Sequence, residues 1–508
     1  MVPFKQNNEI TYDDKELMEE NTFIGAEVEN TEIPAFDAVR GELPQPIWND
    51  HNDYIDCYWK AWEIAFSNLR KPKKGTGFIT NYIDAAFNDC IFMWDSAFML
   101  MFGKYADRIF KFQKTLDNFY SHQHVDGFIC RQIEEETGCD VFARHDPSST
   151  GPEVLAWCEW DYFLNFGDKE RLARVYPCLV AYHQWMKEHF TWRDGTYFSS
   201  GYGCGMDNCP RLDEKYHVCY SHGHMIWVDA CMQELNACNI LIKMSEILGR
   251  KEFIPELMAE SEKLFKVINE KLWDEKTKFY YDLRDDDTFN EVKHIGAFWS
   301  LLAKCVPEDR KEDFIAHLNN ENEFKTVHRV PTLSKDHAEY NPAGGYWCGS
   351  VWSPTNYMVL KGLDAYGRYG LSYEIALSHL DAVVSVFKNR GTLYENYAPE
   401  LVEGKFEKGS SSMADFVGWT GISPISILFE YVFGIKPDAA KNKITWHVNL
   451  LEKHGVKKYP FGIDGELTLI CEARNSEKEK PRVIIKSNIP IEVEIIWNKE
   501  KNSEIISF

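Results

Sequence analysis

Over most of the chain apolar residues recur at intervals of three and four. Leu172, Val175, Leu179, Tyr182 and Met186 form one such stripe, the spacing that collects side chains on one face of a helix. Val228, Cys231, Leu235, Cys238 and Ile242 form a second, followed by Gly249 where a left-handed C-terminal cap belongs. Ala376, Leu380, Val383 and Phe387 form a third, with Ser372 near its start as a candidate N-cap. The segments 166–172 and 248–254 share the pattern apolar-Gly-x-Lys-Glu-x-apolar, and each lies between helical stripes. Each therefore predicts the turn of a helical hairpin. Hairpins repeated over residues 49–435 predict a mainly α protein, a toroid or solenoid whose hairpin ends carry long loops. Near residue 436 the period changes to two. Segments 444–450, 467–473, 482–487 and 491–497 alternate between turn signals, predicting a small antiparallel β module over 436–508 with a packing role. Residues 1–48 are acidic and weakly periodic and predict an N-terminal arm, partly irregular.

Composition narrows the class. The formal charge of −23 argues against nucleic acid and anionic membrane surfaces as partners. No apolar run approaches the roughly 18 residues of a membrane span. The start has no apolar core of a secretory signal, and the 14 cysteines are scattered, so free thiols in the cytoplasm are expected. Aromatic residues make up 14% of the chain, with 16 tryptophans. A polar-rimmed cleft walled by Trp and Tyr suits the apolar faces of sugar rings.

The candidate chemistry lies in loops. Residues 201–211 place Gly201, Gly203 and Gly205 just ahead of Asp207, Asn208 and Arg211, with Tyr202 as a stacking platform. Glycines there let the backbone turn sharply and approach a ligand, and Asp207 is the first candidate for an acid acting on a sugar. Breaking a glycosidic bond needs a second carboxylate. Glu395, flanked by Tyr394, Asn396 and Tyr397 after the third stripe, is the strongest candidate, ahead of Glu400 and Glu403. Four more segments use the same vocabulary: Trp94 and Asp95; Gln123, His124 and Arg131; Tyr346, Trp347 and Trp352; Asp415 and Trp419. His217, Cys219, His222 and His224 crowd together near Cys204 and Cys209, but their spacing matches no pattern of two close zinc-ligand pairs. Neither metal nor organic cofactor is expected, and no phosphate-binding or nucleophile-elbow motif is present.

Taken in order, these segments resemble the six-hairpin (α/α)6-barrel glycosidases of the trehalase and mannosylglycerate hydrolase type, glycoside hydrolase families 37 and 63. The resemblance rests on Met93-Trp-Asp-Ser96, Cys204-Gly-Met-Asp-Asn208, Tyr346-Trp-Cys-Gly-Ser-Val-Trp352 and Tyr394-Glu-Asn-Tyr397, and on the segment from Leu272 to Asp282. It implies that Asp207 is the general acid and Glu395 the general base of an inverting α-glycosidase. Trp94 and Asp95 would hold the sugar, with Tyr202, Tyr346, Trp347 and Trp352 enclosing it. An acid with a raised pKa in a dry pocket and a base left ionised in a wetter one are then expected, about 6.5–9.5 Å apart. Two positions depart from the family pattern: Cys348 stands where an arginine is usual, and Thr150-Gly-Pro152 replaces Gln-Pro-Pro.

The expected activity is exo-hydrolysis of a small α-glucoside or α-mannoside, an oligosaccharide or a glycosylglycerate-like compound. Arg131 or Arg211 would suit a substrate carboxylate. Two other readings stand beside it: a sugar epimerase using His217, His222 and His224, and a non-catalytic carbohydrate-binding protein.

Overall fold

The computed structural model describes residues 21–507. Its long helices are α1 (Asn52–Ser67), α2 (Met93–Gly103), α3 (Thr115–Ser121), α4 (Leu155–Phe166), α5 (Lys169–His189), α6 (Val228–Leu248), α7 (Ile254–Lys271), α8 (Ser353–Ala365) and α9 (Tyr369–Arg390). Shorter helical turns cover Ile295–Phe298, Trp299–Leu302 and Lys311–Ala316, and a π-wound helix covers Ser423–Val432. Among the described residues no helix is long and apolar enough to cross a membrane.

The apolar stripes lie where their period puts them. All five stripe residues of α5 are buried, each worth about 1.5–3 kcal/mol for an aliphatic side chain. The first repeated turn joins α4 to α5: Gly167 takes a φ of 66° and Asp168 caps α5 by accepting from the Arg171 amide. The second joins α6 to α7 with Gly249 at a φ of 72°. Ser372 is not an N-cap. It lies inside α9, buried, with its hydroxyl on the Leu360 carbonyl, because the helix begins three residues earlier at Tyr369.

Helices α2, α4, α6, the 295–302 turns, α8 and the 420–432 segment pack each on the next, and the last packs back on α2. They are the more apolar set: every residue of α2 and of Ser423–Val432 is buried, as expected for helices covered on all sides. Partner helices pack outside them, α3 on α2, α5 on α4, α7 on α6 and α9 on α8, while α1 packs on 423–432.

The C-terminal strands form two four-stranded sheets. Label β1 (Gln45–Trp48), β2 (Cys90–Phe92), β3 (Gln132–Glu134), β4 (Ile435–Asp438), β5 (Lys443–His447), β6 (His454–Phe461), β7 (Gly465–Cys471), β8 (Val483–Ser487), β9 (Glu492–Trp497) and β10 (Asn502–Ser507). One sheet has the order β1-β6-β7-β8 and the other β4-β5-β9-β10. The pairing is antiparallel except for β5 with β9, which is parallel. β1 belongs to the N-terminal arm yet pairs with β6, from Gln45↔Lys457 to Trp48↔His454. The described part of the arm is therefore tied in at both ends: Phe23 is fully buried against Tyr120, while β1 completes the C-terminal sheet. Residues 1–20 of the predicted arm lie outside the described residues.

Candidate active site

The N-terminal turn of α2, Trp419 just ahead of the 420–432 segment, and the loops around residues 131, 207, 346 and 395 line one narrow pocket of about 60 Å3. Phe87, Phe92, Trp94, Asp95, Arg131, Gly205, Asp207, Tyr346, Trp347, Glu395 and Trp419 line it. Trp94 and Asp95 sit in the first turn of α2, where free backbone amides favour negative charge. The short β2–β3 pair sets Phe92 opposite Gln132, and the Met93 amide donates to the Arg131 carbonyl at 2.8 Å. That pairing carries Arg131 beside Asp95.

Asp207 follows a single helical turn, Gly201–Cys204, capped by the Ser200 hydroxyl on the Gly203 amide. Gly205 has a φ of 76°, and a side chain there would press on the Trp94 ring at 3.3 Å. Two glycine requirements are thus visible in this loop, backbone geometry and contact with an aromatic wall. The Asp207 carboxylate makes no hydrogen bond to another described residue, so it caps no element. Burial pushes it up to about 6, opposed by the Arg131 guanidinium.

Asn208 locks this loop to the next one. Its amide oxygen accepts from the Trp347 amide at 2.8 Å, and its amide nitrogen donates to the Gly345 carbonyl at 3.2 Å. Cys348, the residue in place of arginine, donates its thiol to the Asn208 carbonyl at 3.2 Å. Tyr346 has a φ of 63°, uncommon for a residue with a side chain. The turn aims its hydroxyl at Glu395, donating to Oε1 at 2.9 Å. Trp347 and Trp352 stack behind it, centroids 4.0 Å apart and planes within 6°.

Glu395 is pinned from both sides. Its backbone amide donates to the Met413 carbonyl at 3.0 Å, and the Trp419 indole donates to its carbonyl at 2.8 Å. The Met413 amide donates to Oε2 at 3.3 Å. The residue is 2% exposed. Burial raises it to about 7; Tyr346 and the Met413 amide oppose the shift and the Asp207 charge adds to it. The expected wetter setting for the base is corrected here: Glu395 is itself buried and raised by burial, and no cation lies against it. Asp95 is raised as well, by burial first, with Arg131 opposing and Glu395 and Asp207 adding. Three carboxyls therefore share one pocket with one guanidinium, so their proton affinities are tied together.

Several predicted contacts lie elsewhere. Gln123 is buried with its amide nitrogen on the Gly127 and Cys178 carbonyls and its oxygen on Asn21, leaving nothing for a ligand. Arg211 is buried in a double fork on Asp229 and Asp282, against the Trp227 ring, and cannot reach a substrate carboxylate. His124 turns to Asp140 at 2.6 Å. Tyr202 and Trp352 stand behind the pocket wall, Tyr202 under the Arg131 guanidinium at 5.3 Å. Asp415 accepts from Thr392 outside the pocket. Sequence alone does not single out Phe87 and Phe92, although both lie in the apolar run around Trp94, nor the Met413 amide, which no side chain signals.

Comparison with known proteins identifies the family. Residues 90–411 match the family of mannosylglycerate hydrolase MGH1-like glycoside hydrolase domains. The chain belongs to this family. An uncharacterized protein of Borreliella burgdorferi is 27% identical over 438 residues, 82% of this chain and 88% of its own length. The structure of the GH63 mannosylglycerate hydrolase of Thermus thermophilus, in complex with glucose, superposes with a TM-score of 0.59 at 20% identity, over 73% of this chain and 99% of that one. The neutral trehalase Nth1 of Saccharomyces cerevisiae gives a TM-score of 0.52 at 11% identity, over 79% of this chain and 81% of that one. At these identities the likeness to solved structures is one of fold. The family match extends across the Trp94, Asp207, Tyr346 and Glu395 loops.

Proposed function

We propose that this glycoside hydrolase is an inverting, exo-acting α-glycosidase built on an (α/α)6 toroid, acting on a small α-glucoside or α-mannoside. The toroid is supported by six inner helical segments that pack in a closed sequence with partner helices outside. The activity rests above all on one observation: Asp207 and Glu395 meet in a narrow aromatic pocket with Arg131 near the first and Tyr346 on the second. The aromatic walls of the pocket, Trp94, Tyr346, Trp347 and Trp419, suit the apolar face of a terminal sugar ring. Glucose in the Thermus enzyme is compatible with such a subsite.

In this reaction Asp207 gives its proton to the leaving oxygen as the C1–O bond breaks. Glu395 takes a proton from the water whose oxygen attacks C1 on the opposite face. Asp207 ends ionised and Glu395 protonated; exchange with solvent resets both. Arg131 favours the ionised product form of Asp207, and the Tyr346 hydroxyl favours the ionised, competent form of Glu395.

The epimerase reading finds no support, because His217, His222 and His224 do not line the pocket. They pack among Trp192, Phe198 and Tyr220. Proton NMR of the first minutes of hydrolysis, across α-glucosides and α-mannosides including their glycerate conjugates, tests the proposal. The β-anomer is expected first. The α-anomer first would rule out Glu395 as a base activating water.

A further inference from the structure

Among the described residues one group of mixed donors has its ligand atoms within 4.8 Å of one another: His183, Cys238 and Glu260, all buried. They come from three helices, α5, α6 and α7, on the outer side of the inner ring and outside the glycosidase pocket. His183 Nε2 lies 3.4 Å from Cys238 Sγ and 3.3 Å from Glu260 Oε2. Zinc bonds of about 2.05 Å to nitrogen, 2.3 Å to sulfur and 2.1 Å to oxygen, at tetrahedral angles, give edges of about 3.6 Å for N···S and about 3.4 Å for N···O. Both observed separations are within about 0.2 Å of these edges.

The surroundings are those of a built site. His183 Nδ1 lies 2.8 Å from Glu234 Oε2, and both atoms are buried without a hydrogen-bond partner; a small turn of the ring would complete a carboxylate–histidine relay of the kind that leaves Nε2 to a metal. Glu234 and Cys238 are one turn apart on α6 and so face the same way. The Tyr197 hydroxyl donates to the other oxygen of Glu260. Beside His183 and Glu260 a cleft of about 10 Å3 opens between Val180, Phe253 and Leu257, room for about one water as a fourth ligand. Lys187 approaches Glu260 Oε2 at 3.2 Å and also pairs with surface Glu256 at 2.7 Å, so a metal on Glu260 would leave Lys187 on Glu256.

We propose that His183, Cys238 and Glu260 form a structural zinc site that staples α5, α6 and α7 together. Through Tyr197, which precedes Ser200 and the acid loop, the staple also braces the segment leading to Asp207. The spacing of the three donors, 55 residues from His183 to Cys238 and 22 more to Glu260, leaves no local motif in the sequence.

The test uses the full chain, stripped by chelator and titrated with Zn2+ and then Co2+ under reducing conditions. One equivalent of either metal is expected, with a thiolate-to-cobalt charge-transfer band and the intense visible bands of tetrahedral cobalt. Thermal stability should rise with zinc as binding to the native state requires. Cys238→Ala should abolish the charge-transfer band, while Cys471→Ala, in the β module, should leave it. Because the first change alters a packed position, Glu234→Gln provides a milder arm: affinity should fall about 10–100-fold with the circular dichroism spectrum unchanged. Absence of stoichiometric uptake by the wild-type chain, or a thiolate band surviving in Cys238→Ala, would overturn the site. The His183 ring hydrogen-bonded to Glu260 and Cys238 would then remain. Metal stoichiometry is read without any glycoside, so this outcome is independent of the proposed reaction.

Discussion

Glu430 and Glu395 are both buried carboxylates set against inner helices, yet their surroundings push them in opposite directions. Glu430 lies toward the C-terminal ends of those helices. Lys104 reaches it at 2.9 Å and Lys361 at 2.6 Å, and the Tyr105 and Tyr357 hydroxyls donate to it. Asp161 shares the two lysines, at 2.6 and 3.2 Å. Burial alone would raise Glu430, but Lys104, Lys361 and Lys436 outweigh it and hold the carboxylate well below its usual range. At the opposite ends Glu395 has a phenol and a peptide amide but no cation, and burial carries it up to about 7. The same desolvation therefore gives a fixed anion where lysines surround it and a proton-exchanging group where they are withheld. Withholding cations from Glu395 destabilises the fold and leaves a carboxyl that exchanges its proton near neutral pH, as the proposed acid–base pair requires; perturbed carboxyls of this kind tend to mark working sites.

The sharpest way to break this comparison is to neutralise each end separately. Asp207→Asn and Glu395→Gln should each lower kcat by about 10²–10⁴-fold without lowering the thermal midpoint. At the mouth, stability should change with pH in a defined sense. Asp207 and Glu395 have folded pKa values of about 6 and about 7, above their ordinary values of 3.8 and 4.5. The folded state thus holds protons that the unfolded state has lost, and stability falls as pH rises from about 4 toward 7. The two variants should accordingly gain stability over wild type at about pH 8 and little at about pH 4, measured by urea unfolding at both pH values. Equal effects at both would mean that the carboxyls are not desolvated in the native state.

Glu430→Gln should do the reverse. Removing the anion leaves two interior ammonium groups, Lys104 and Lys361, sharing the single carboxylate of Asp161, a loss of about 3–5 kcal/mol. Because Glu430 is held low, its contribution is present above its unfolded pKa and is lost only as pH falls below it. The stability difference between variant and wild type should then persist from about pH 8 to about pH 5, and turnover per folded molecule should stay close to wild type. A loss of kcat rivalling that of Glu395→Gln would mean that the two ends of the helices are not separable.

Tyr346→Phe gives a smaller and more specific effect. The hydroxyl stabilises ionised Glu395, so its loss should raise the higher of the two pKa values in the kcat/KM profile, that of Glu395, and move the alkaline limb to higher pH by less than about one unit. The Asp207 limb should stay in place apart from the coupling between the two groups. A profile that does not move would remove Tyr346 from the control of Glu395.

Much of this arrangement is legible because the relevant signals are periodic or local. The stripes of α5, α6 and α9 and the two glycine turns follow directly from spacing. So do the loops bearing Trp94, Asp207, Tyr346 and Glu395. What escapes a reading of the sequence depends on distant partners. β1 is four residues long and finds its neighbour about 400 residues later. β6 is hidden because its register shifts between Val456 and Tyr459, placing two lysines where alternation should continue. Gln123 and Arg211 look like ligand contacts for a related reason. A buried polar side chain has the same appearance in sequence whether a sugar, a carbonyl or a carboxylate satisfies it. The electrostatic contrast between Glu395 and Glu430 is concealed similarly, since the lysines that decide it lie 69 and 326 residues away from Glu430.

His124 measures how far the mouth extends. It lies one residue from Gln123, and its ring nitrogen pairs with Asp140 at 2.6 Å with both groups partly in water. A pair in that setting contributes about 0–1 kcal/mol. Its loop is held independently, by the His124 amide on the Phe128 carbonyl and by Gln123 beneath. His124→Ala should therefore change KM by less than about twofold and stability by less than about 1 kcal/mol. A tenfold rise in KM with kcat unchanged would extend the binding surface beyond Arg131 to this loop. The contrast drawn above would then apply to a wider mouth, in which a second titratable side chain meets the leaving group.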